Sequence, residues 1–164
     1  MRSLVSRAGA LLVAGLILSE ALLMAQTPAG PQQAVPLPQL PRGAGVVDAD
    51  APQTFTKSAS GLEYRVLRKG AGPAPSPTST VTVHYHGWLD SGKTFDSSYD
   101  RGEKISFPLN GVIRGWTEGL QYVGKGGMIE LSIPSNLGYG SRGAPPVIPP
   151  DARLHFLVEL HEIR

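Results

Sequence analysis

Glycine and proline recur so densely in this chain, 20 of one and 15 of the other in 164 residues, that long helices are strongly disfavoured. Glycine weakens a helix interior and proline removes one of its hydrogen bonds, so the composition favours turns and extended strands. Between these breaks, from about Gln53 onward, apolar residues fall at alternate positions. Leu62, Tyr64 and Val66 are separated by polar residues. Val81, Val83 and Tyr85 alternate with Thr82, His84 and His86, and Leu154, Phe156, Val158 and Leu160 alternate with His155, Leu157, Glu159 and His161. A period of two is the mark of a strand with one buried face. Met128 to Ile133 reads as a further strand, and only Val112 to Gln121 reads as a short helix. The expected class is α+β: an antiparallel sheet of five to six strands wrapped on one short α-helix, an arrangement that needs one covered face and can leave the other wet.

Composition narrows the function. Apolar residues make up 41% of the chain, enough for one packed core, and the length suits one ordinary domain with appendages. The formal net charge is +2, and removing residues 1–25 takes away Arg2, Arg7 and Glu20 to leave about +1. No basic face is large enough to neutralise many phosphates, which argues against nucleic acid. Cysteine is absent, which excludes disulfides, thiolate nucleophiles, cysteine-based zinc sites and a lipidated cysteine after the leader.

The first 25 residues have the pattern of a secretory signal peptide. Arg2 and Arg7 form a basic start, Ala8 to Leu18 is an apolar run, and small residues near Ala21 and Ala25 offer cleavage points. The alternatives are a buried helix or an uncleaved membrane anchor. The run is shorter than the roughly 20 residues a bilayer span needs, and Glu20 interrupts its extension. Leu23 is not ideal three residues before a cut at Ala25, so the anchor stays open. Residues 26–52 carry Pro28, Pro31, Pro36, Pro38, Pro41 and Pro52 among Gln, Ala and Gly, the composition of a flexible, partly polyproline-like tether. The folded domain is expected over 53–164.

Several motifs fail on physical grounds. Gly138 to Gly143 spells G-x-G-x-x-G, but Ala144-Pro145-Pro146 follows at once and prevents the helix that a dinucleotide site needs. Gly124-Lys125-Gly126-Gly127 lacks phosphate-loop spacing. His84 and His86 lie two apart on a strand and share a face, but no third ligand stands at metal-site spacing. His155 and His161 fall on the polar phase of the last strand and are expected to be solvated. No serine elbow or triad order is present.

Three blocks carry a resemblance. Val83-His84-Tyr85-His86-Gly87-Trp88, continuing through Lys93-Thr94-Phe95-Asp96-Ser97-Ser98, is the first. Val112-Ile113-Arg114-Gly115-Trp116-Thr117-Glu118-Gly119-Leu120 is the second. Gly138-Tyr139-Gly140 with Val147-Ile148-Pro149-Pro150-Asp151-Ala152-Arg153-Leu154-His155-Phe156 is the third. In this order and at this spacing they resemble the FKBP family of peptidyl-prolyl cis–trans isomerases, over about residues 56–164. The stretch Ser58 to Tyr64 resembles the entry of bacterial members with an exported N-terminal extension.

The resemblance implies an FKBP-like fold and a proline pocket. Trp116 would be its floor and Tyr85, Phe95 and Phe156 its sides. Val112, Ile113, Ile148 and Ile105 would complete the apolar lining. Tyr139 would donate its hydroxyl, and Ile113 its backbone N–H, to substrate carbonyls. Asp96, paired with Arg101, would stand over the reactive amide in an orienting role, with no general base. The implied partners are proline-containing unfolded or partly folded polypeptides and macrolides of the tacrolimus and rapamycin type. No cofactor, metal or nucleic acid is implied; a membrane enters only if the leader is uncleaved. A monomer exported to a bacterial periplasm is the expected form. The sequence departs from the family at Ile105, where many members have an aromatic residue. It also departs at Leu109-Asn110-Gly111, which is about two residues shorter than in small eukaryotic members, and at Ala144-Pro145-Pro146 in the flap over the pocket.

Overall fold

A computed structural model describes residues 34–164; the expected signal peptide and the first part of the tether lie outside the described residues. Among the described residues, seven strands form one antiparallel sheet: β1 (Thr56–Lys57), β2 (Glu63–Arg68), β3 (Thr80–Leu89), β4 (Thr94–Ser97), β5 (Ile105–Pro108), β6 (Met128–Ile133) and β7 (Leu154–Ile163). Their order is β1-β2-β6-β7-β3-β4, with β5 also beside β3. The described residues contain two α-helices, the single turn α1 (Ser98–Arg101) and α2 (Arg114–Gly119), which runs on into a 3-10 turn to Tyr122. The antiparallel sheet packed on one short helix is the architecture the alternation predicts. The strand count exceeds the expected five to six because β1 spans two residues and β4 and β5 four each, too few for a period to show.

The short helix sits flush on the sheet because two glycines on one of its faces leave room. A Cβ on Gly115 would stand 2.5 Å from Ile133 Cγ2, and one on Gly119 2.6 Å from Leu131 Cδ2. Gly115, Trp116 and Gly119 are its buried residues. The core on this side joins Val81 and Val83 of β3, Ile129, Leu131 and Ile133 of β6, Val158 and Leu160 of β7, and Leu120 after the helix, all fully or nearly fully buried. Burial of this kind contributes on the order of 2 kcal/mol per large side chain. Thr117 Oγ1 donates to Leu109 O at 2.6 Å and holds the start of the helix against the preceding turn.

The opposite face, which an antiparallel sheet can leave wet, is covered as well. Leu67, Met128 and Leu157 are fully buried there, packed with Val47, Ala51 and Trp88. Residues 34–52 carry no helix or strand, as their prolines predict, but they form a strap tied down along this face rather than a free spacer. Arg65 is the main anchor. Its Nε donates to Glu130 at 2.6 Å, Nη1 to Val35 O at 2.7 Å and Nη2 to Pro36 O at 2.6 Å, while Phe55 covers the guanidinium at 4.7 Å. Gly45 N donates to Glu159 at 2.8 Å, and Asp48 N to Leu67 O at 2.8 Å. The alternation hid this: Arg65 and Glu130 occupy the polar phase of β2 and β6, yet are 1% and 5% exposed.

A buried ion pair is costly to form and costlier to halve, since the remaining charge loses its partner without regaining water. Burial pushes the Glu130 carboxyl up, and Arg65 pulls against it. Arg65→Ala is therefore expected to lower unfolding free energy by about 3–5 kcal/mol in urea denaturation. A loss below about 1 kcal/mol would show that the strap and its anchor add little to the fold.

Candidate active site

On the helix side of the sheet, β3, β7 and α2 converge at one end. Tyr85 and Phe156 stand on strands that pair along their whole length, Tyr85 opposite Val158 and Gly87 opposite Phe156. Their side chains project on the same face as the helix. Trp116, the third residue of α2, comes down between them. Its ring centroid lies 5.0 Å from Phe156 and 5.3 Å from Tyr85, both edge-on at 82° and 79°. Phe95 of β4 meets Phe156 at 5.3 Å and 87°. Edge-to-face contacts of this kind fix ring orientation as well as burying area. Gly87 makes the arrangement possible, because a Cβ there would come within 2.7 Å of Phe95 and 2.8 Å of Phe156.

These rings enclose an open cleft of about 660 Å³. Its lining contains Tyr85, Phe95, Asp96, Ile105, Val112, Ile113, Trp116, Tyr139, Ile148 and Phe156, so ten of the eleven residues expected from sequence come together. Arg101, the eleventh, does not line the cleft but reaches into its polar corner. Tyr85, Trp116, Ile148 and Phe156 are buried, and Tyr139 stands 43% exposed at the rim. The indole N–H of Trp116 is buried at the floor and finds no acceptor among the described residues.

Phe107, Val147, Ala144 and Gly111 also line the cleft; Ala144 belongs to the expected flap, Gly111 to the shortened segment before Val112 and Val147 to the third block, while Phe107 was not anticipated. Phe107 packs at 5.3 Å from Trp116. It stands two residues beyond Ile105 on the same strand and therefore on the same face, a signal that was available. The flap holding Ala144 and Val147 is closed on itself: Ala144 N donates to Ile148 O at 2.9 Å and Ile148 N to Ala144 O at 3.0 Å.

The polar corner is a closed triangle. Tyr85 Oη–H donates to one Asp96 oxygen, Arg101 Nη1 donates to the other, and Arg101 Nη2 donates to Tyr85 Oη at 2.9 Å. Burial pushes the Asp96 carboxyl up, but the hydrogen bonds from Tyr85 and Arg101 outweigh it and hold the group below its ordinary value. Burial, with the hydrogen bond to Asp96, pushes the Tyr85 phenol up. At neutral pH the carboxylate is therefore charged and the phenol protonated. The corner can orient and polarise, and it is poorly suited to proton transfer.

The histidines lie elsewhere. His84 and His86 project from β3 to the strap side, as their spacing predicts. His155 and His161 are not simply solvated as expected. His155 Nε2 meets Asp90 at 2.6 Å and the ring stacks on Trp88 at 5.7 Å. His161 packs edge-on against His84 at 5.6 Å, and its Nε2 has no partner among the described residues. A second, larger void of about 870 Å³ separates part of the strap from the outer face. Its walls mix Arg42, Glu63, Glu130 and Arg153 with Pro38, Leu40 and Trp88, and no set of groups converges there as the rings and the triangle do in the cleft. Gly138 to Gly143 contains one 3-10 turn, Gly140–Arg142, in place of the helix a nucleotide site needs.

Comparison with known proteins agrees with this geometry. A family model described as FKBP-type peptidyl-prolyl cis-trans isomerase matches residues 72–161. The Escherichia coli K12 protein named FKBP-type peptidyl-prolyl cis-trans isomerase FkpA is 52% identical over 107 residues, 65% of this chain and 39% of that protein. The crystal structure of E. coli FkpA superposes with a TM-score of 0.65 at 51% identity, over 67% of this chain and 51% of that one. The structure of AtFKBP13 gives 0.62 at 35% identity, over 67% of this chain and 98% of that one. The chain thus spans about two-fifths of the length of the E. coli curated relative.

The triangle makes a direct prediction. An unperturbed aspartate titrates at about 3.9. A folded value below that means the stabilisation from the charged carboxylate is present above about pH 4 and lost as the pH falls through the folded value. Carboxyl-carbon NMR should find Asp96 titrating below 3.9, and Arg101→Ala should move it upward. An Asp96 titration unaffected by Arg101→Ala would contradict the triangle.

Proposed function

The chain belongs to the FKBP-type peptidyl-prolyl cis–trans isomerase family, and from that premise we propose that it accelerates rotation about Xaa–Pro bonds in polypeptide substrates. The observation that carries this is the ring-walled cleft with a charged but proton-inert triangle at its edge. Amide resonance sets a barrier of about 18–20 kcal/mol, so uncatalysed prolyl isomerisation takes tens to hundreds of seconds. No bond need break. An environment that favours the twisted amide over the planar one lowers the barrier.

Planar amides carry more charge separation than twisted ones, and water stabilises that charge. The apolar walls of the cleft remove the water. Trp116 forms the floor under the proline ring, and Tyr85, Phe95 and Phe156 the sides, with Ile105, Phe107, Val112, Ile113 and Ile148 completing the lining. The Tyr139 hydroxyl at the rim and the Ile113 backbone N–H hold substrate carbonyls. Asp96, kept charged and oriented by Tyr85 and Arg101, acts electrostatically on the reacting amide. The same cleft accepts macrolides of the tacrolimus and rapamycin class. The basic, apolar and small-residue order of residues 1–25 supports a cleaved leader, and with it a role in folding exported proteins in a bacterial periplasm.

A protease-coupled assay on a short Xaa–Pro peptide tests the proposal. The purified chain should shorten the cis-to-trans phase, and tacrolimus should abolish the effect. Asp96→Val and Trp116→Ala should each reduce kcat/KM about tenfold or more, equivalent to at least ~1.4 kcal/mol of transition-state stabilisation. Circular dichroism would verify that each variant is folded. A folded chain that binds the peptide without accelerating its isomerisation would make this a binding module.

A further inference from the structure

Ser98 is buried directly behind the triangle and is used by nothing described so far. On the edge of β3 away from β7, β5 pairs with Thr80 to Val83 and β4 pairs with His86 to Trp88. Between them, at His84 and Tyr85, the edge has no strand partner among the described residues. The backbone of Tyr85 there still carries a donor and an acceptor that burial would leave costly if unpaired. The Ser98 hydroxyl fills the gap. Its oxygen accepts from Tyr85 N–H at 2.8 Å, its proton is directed to Tyr85 O at 3.2 Å, and His84 Nδ1 lies 2.9 Å away. Ser98 itself is fully buried.

The same residue begins α1, which is one turn long and fixed at both ends. Ser97 caps it by accepting from Asp100 N, and Gly102 closes it in a left-handed conformation with φ of 69°. Arg101 is its last residue and reaches Asp96 and Tyr85. One hydroxyl therefore clamps the backbone that carries Tyr85 to the turn that carries Arg101. A hydroxyl has one proton and two lone pairs, so contacts with Tyr85 N–H, Tyr85 O and His84 Nδ1 use its full capacity and fix its direction. On its other side His84 stacks on Tyr99 at 4.6 Å and 17°, and Tyr99 donates to Glu159 at 2.5 Å, which secures the imidazole in turn.

We propose that Ser98 is a positioning residue for the Tyr85–Asp96–Arg101 triangle: its hydroxyl takes the place of the missing strand at Tyr85 and sets the distance between the phenol and the guanidinium. This rests on the isomerase proposal for its effect on turnover, but not for its effect on the triangle itself.

The test is Ser98→Ala in the full chain, read three ways. Thermal melting reports stability, the peptide assay reports turnover, and carboxyl-carbon NMR reports the Asp96 titration. The expected result is a folded variant with turnover reduced about tenfold and an Asp96 titration moved upward from the depressed value of the unmodified chain. A lower melting temperature with both turnover and the Asp96 titration unchanged would make Ser98 a purely structural residue and overturn the proposal. If the unmodified chain shows no turnover, the isomerase proposal fails by itself. The Asp96 titration then decides: an upward move supports positioning and no move overturns it. If Ser98→Ala does not fold, amide hydrogen exchange in the unmodified chain decides. Tyr85 N–H protected as strongly as the paired amides of β3 supports the clamp, and rapid exchange there overturns it.

Discussion

The pairing of β3 with β7 is the interaction on which the remainder depends. From Val81 opposite Ile163 to Leu89 opposite Leu154, two ten-residue strands share one ladder with a single register shift between Thr82 and Val83. Because side chains alternate across a sheet, that register decides at once what lies on each face. It brings Tyr85 and Phe156 to the helix side and sends His84, His86, Leu157 and Glu159 to the strap side. A slip of one residue would exchange the two sets and abolish the cleft. The helix completes the site only because Gly115 and Gly119 let Trp116 descend to the level of these rings.

The two faces serve different ends. The helix face is apolar apart from one corner, and there the charges of Asp96 and Arg101 pair with each other and with the Tyr85 phenol. The strap face carries the ion pairs, Arg65 with Glu130, both buried, and Arg68 with Glu159 at 2.6 Å, where the carboxylate is buried and the guanidinium partly exposed. These are the features of a covered surface. The strap meets them with backbone carbonyls and N–H groups, which a proline-rich segment can still offer where it cannot build a strand. Ser98 is the point at which the faces communicate, since its hydroxyl touches the Tyr85 backbone and the His84 ring together.

Much of the cleft was legible because its residues obey simple periodicities. Val81, Val83 and Tyr85 on one strand and Phe156, Val158 and Leu160 on another declare a common face, and the likeness of three blocks to one family assigns them to a site. Asp96 and Arg101 are legible as a pair for the same reason. Phe107 follows from Ile105 by the same period of two, opposite Val81 as Ile105 is opposite Val83. The strap was not legible. A proline-rich composition says that a segment cannot make its own core, and it is silent on whether another surface needs covering. That need was visible only in Arg65 and Glu130, whose charge reads as solvation until the register shows them facing each other. Ser98 was hidden for a related reason: a hydroxyl standing in for a strand has no periodic signature.

The central claim is that the ring-walled cleft, and not the larger void beneath the strap, is where a prolyl bond binds and turns. The most direct measurement is two-dimensional NMR of the labelled chain with a short Xaa–Pro peptide, mapping shifted amides and following cis–trans exchange peaks of the peptide in one sample. Shifts concentrated at Ile113, Tyr139, Ile148 and the Trp116 indole are expected, with exchange peaks that appear only when the protein is present. Shifts at His86, Trp88 and Leu40 with the Trp116 indole unmoved would place the peptide on the strap side and contradict the account.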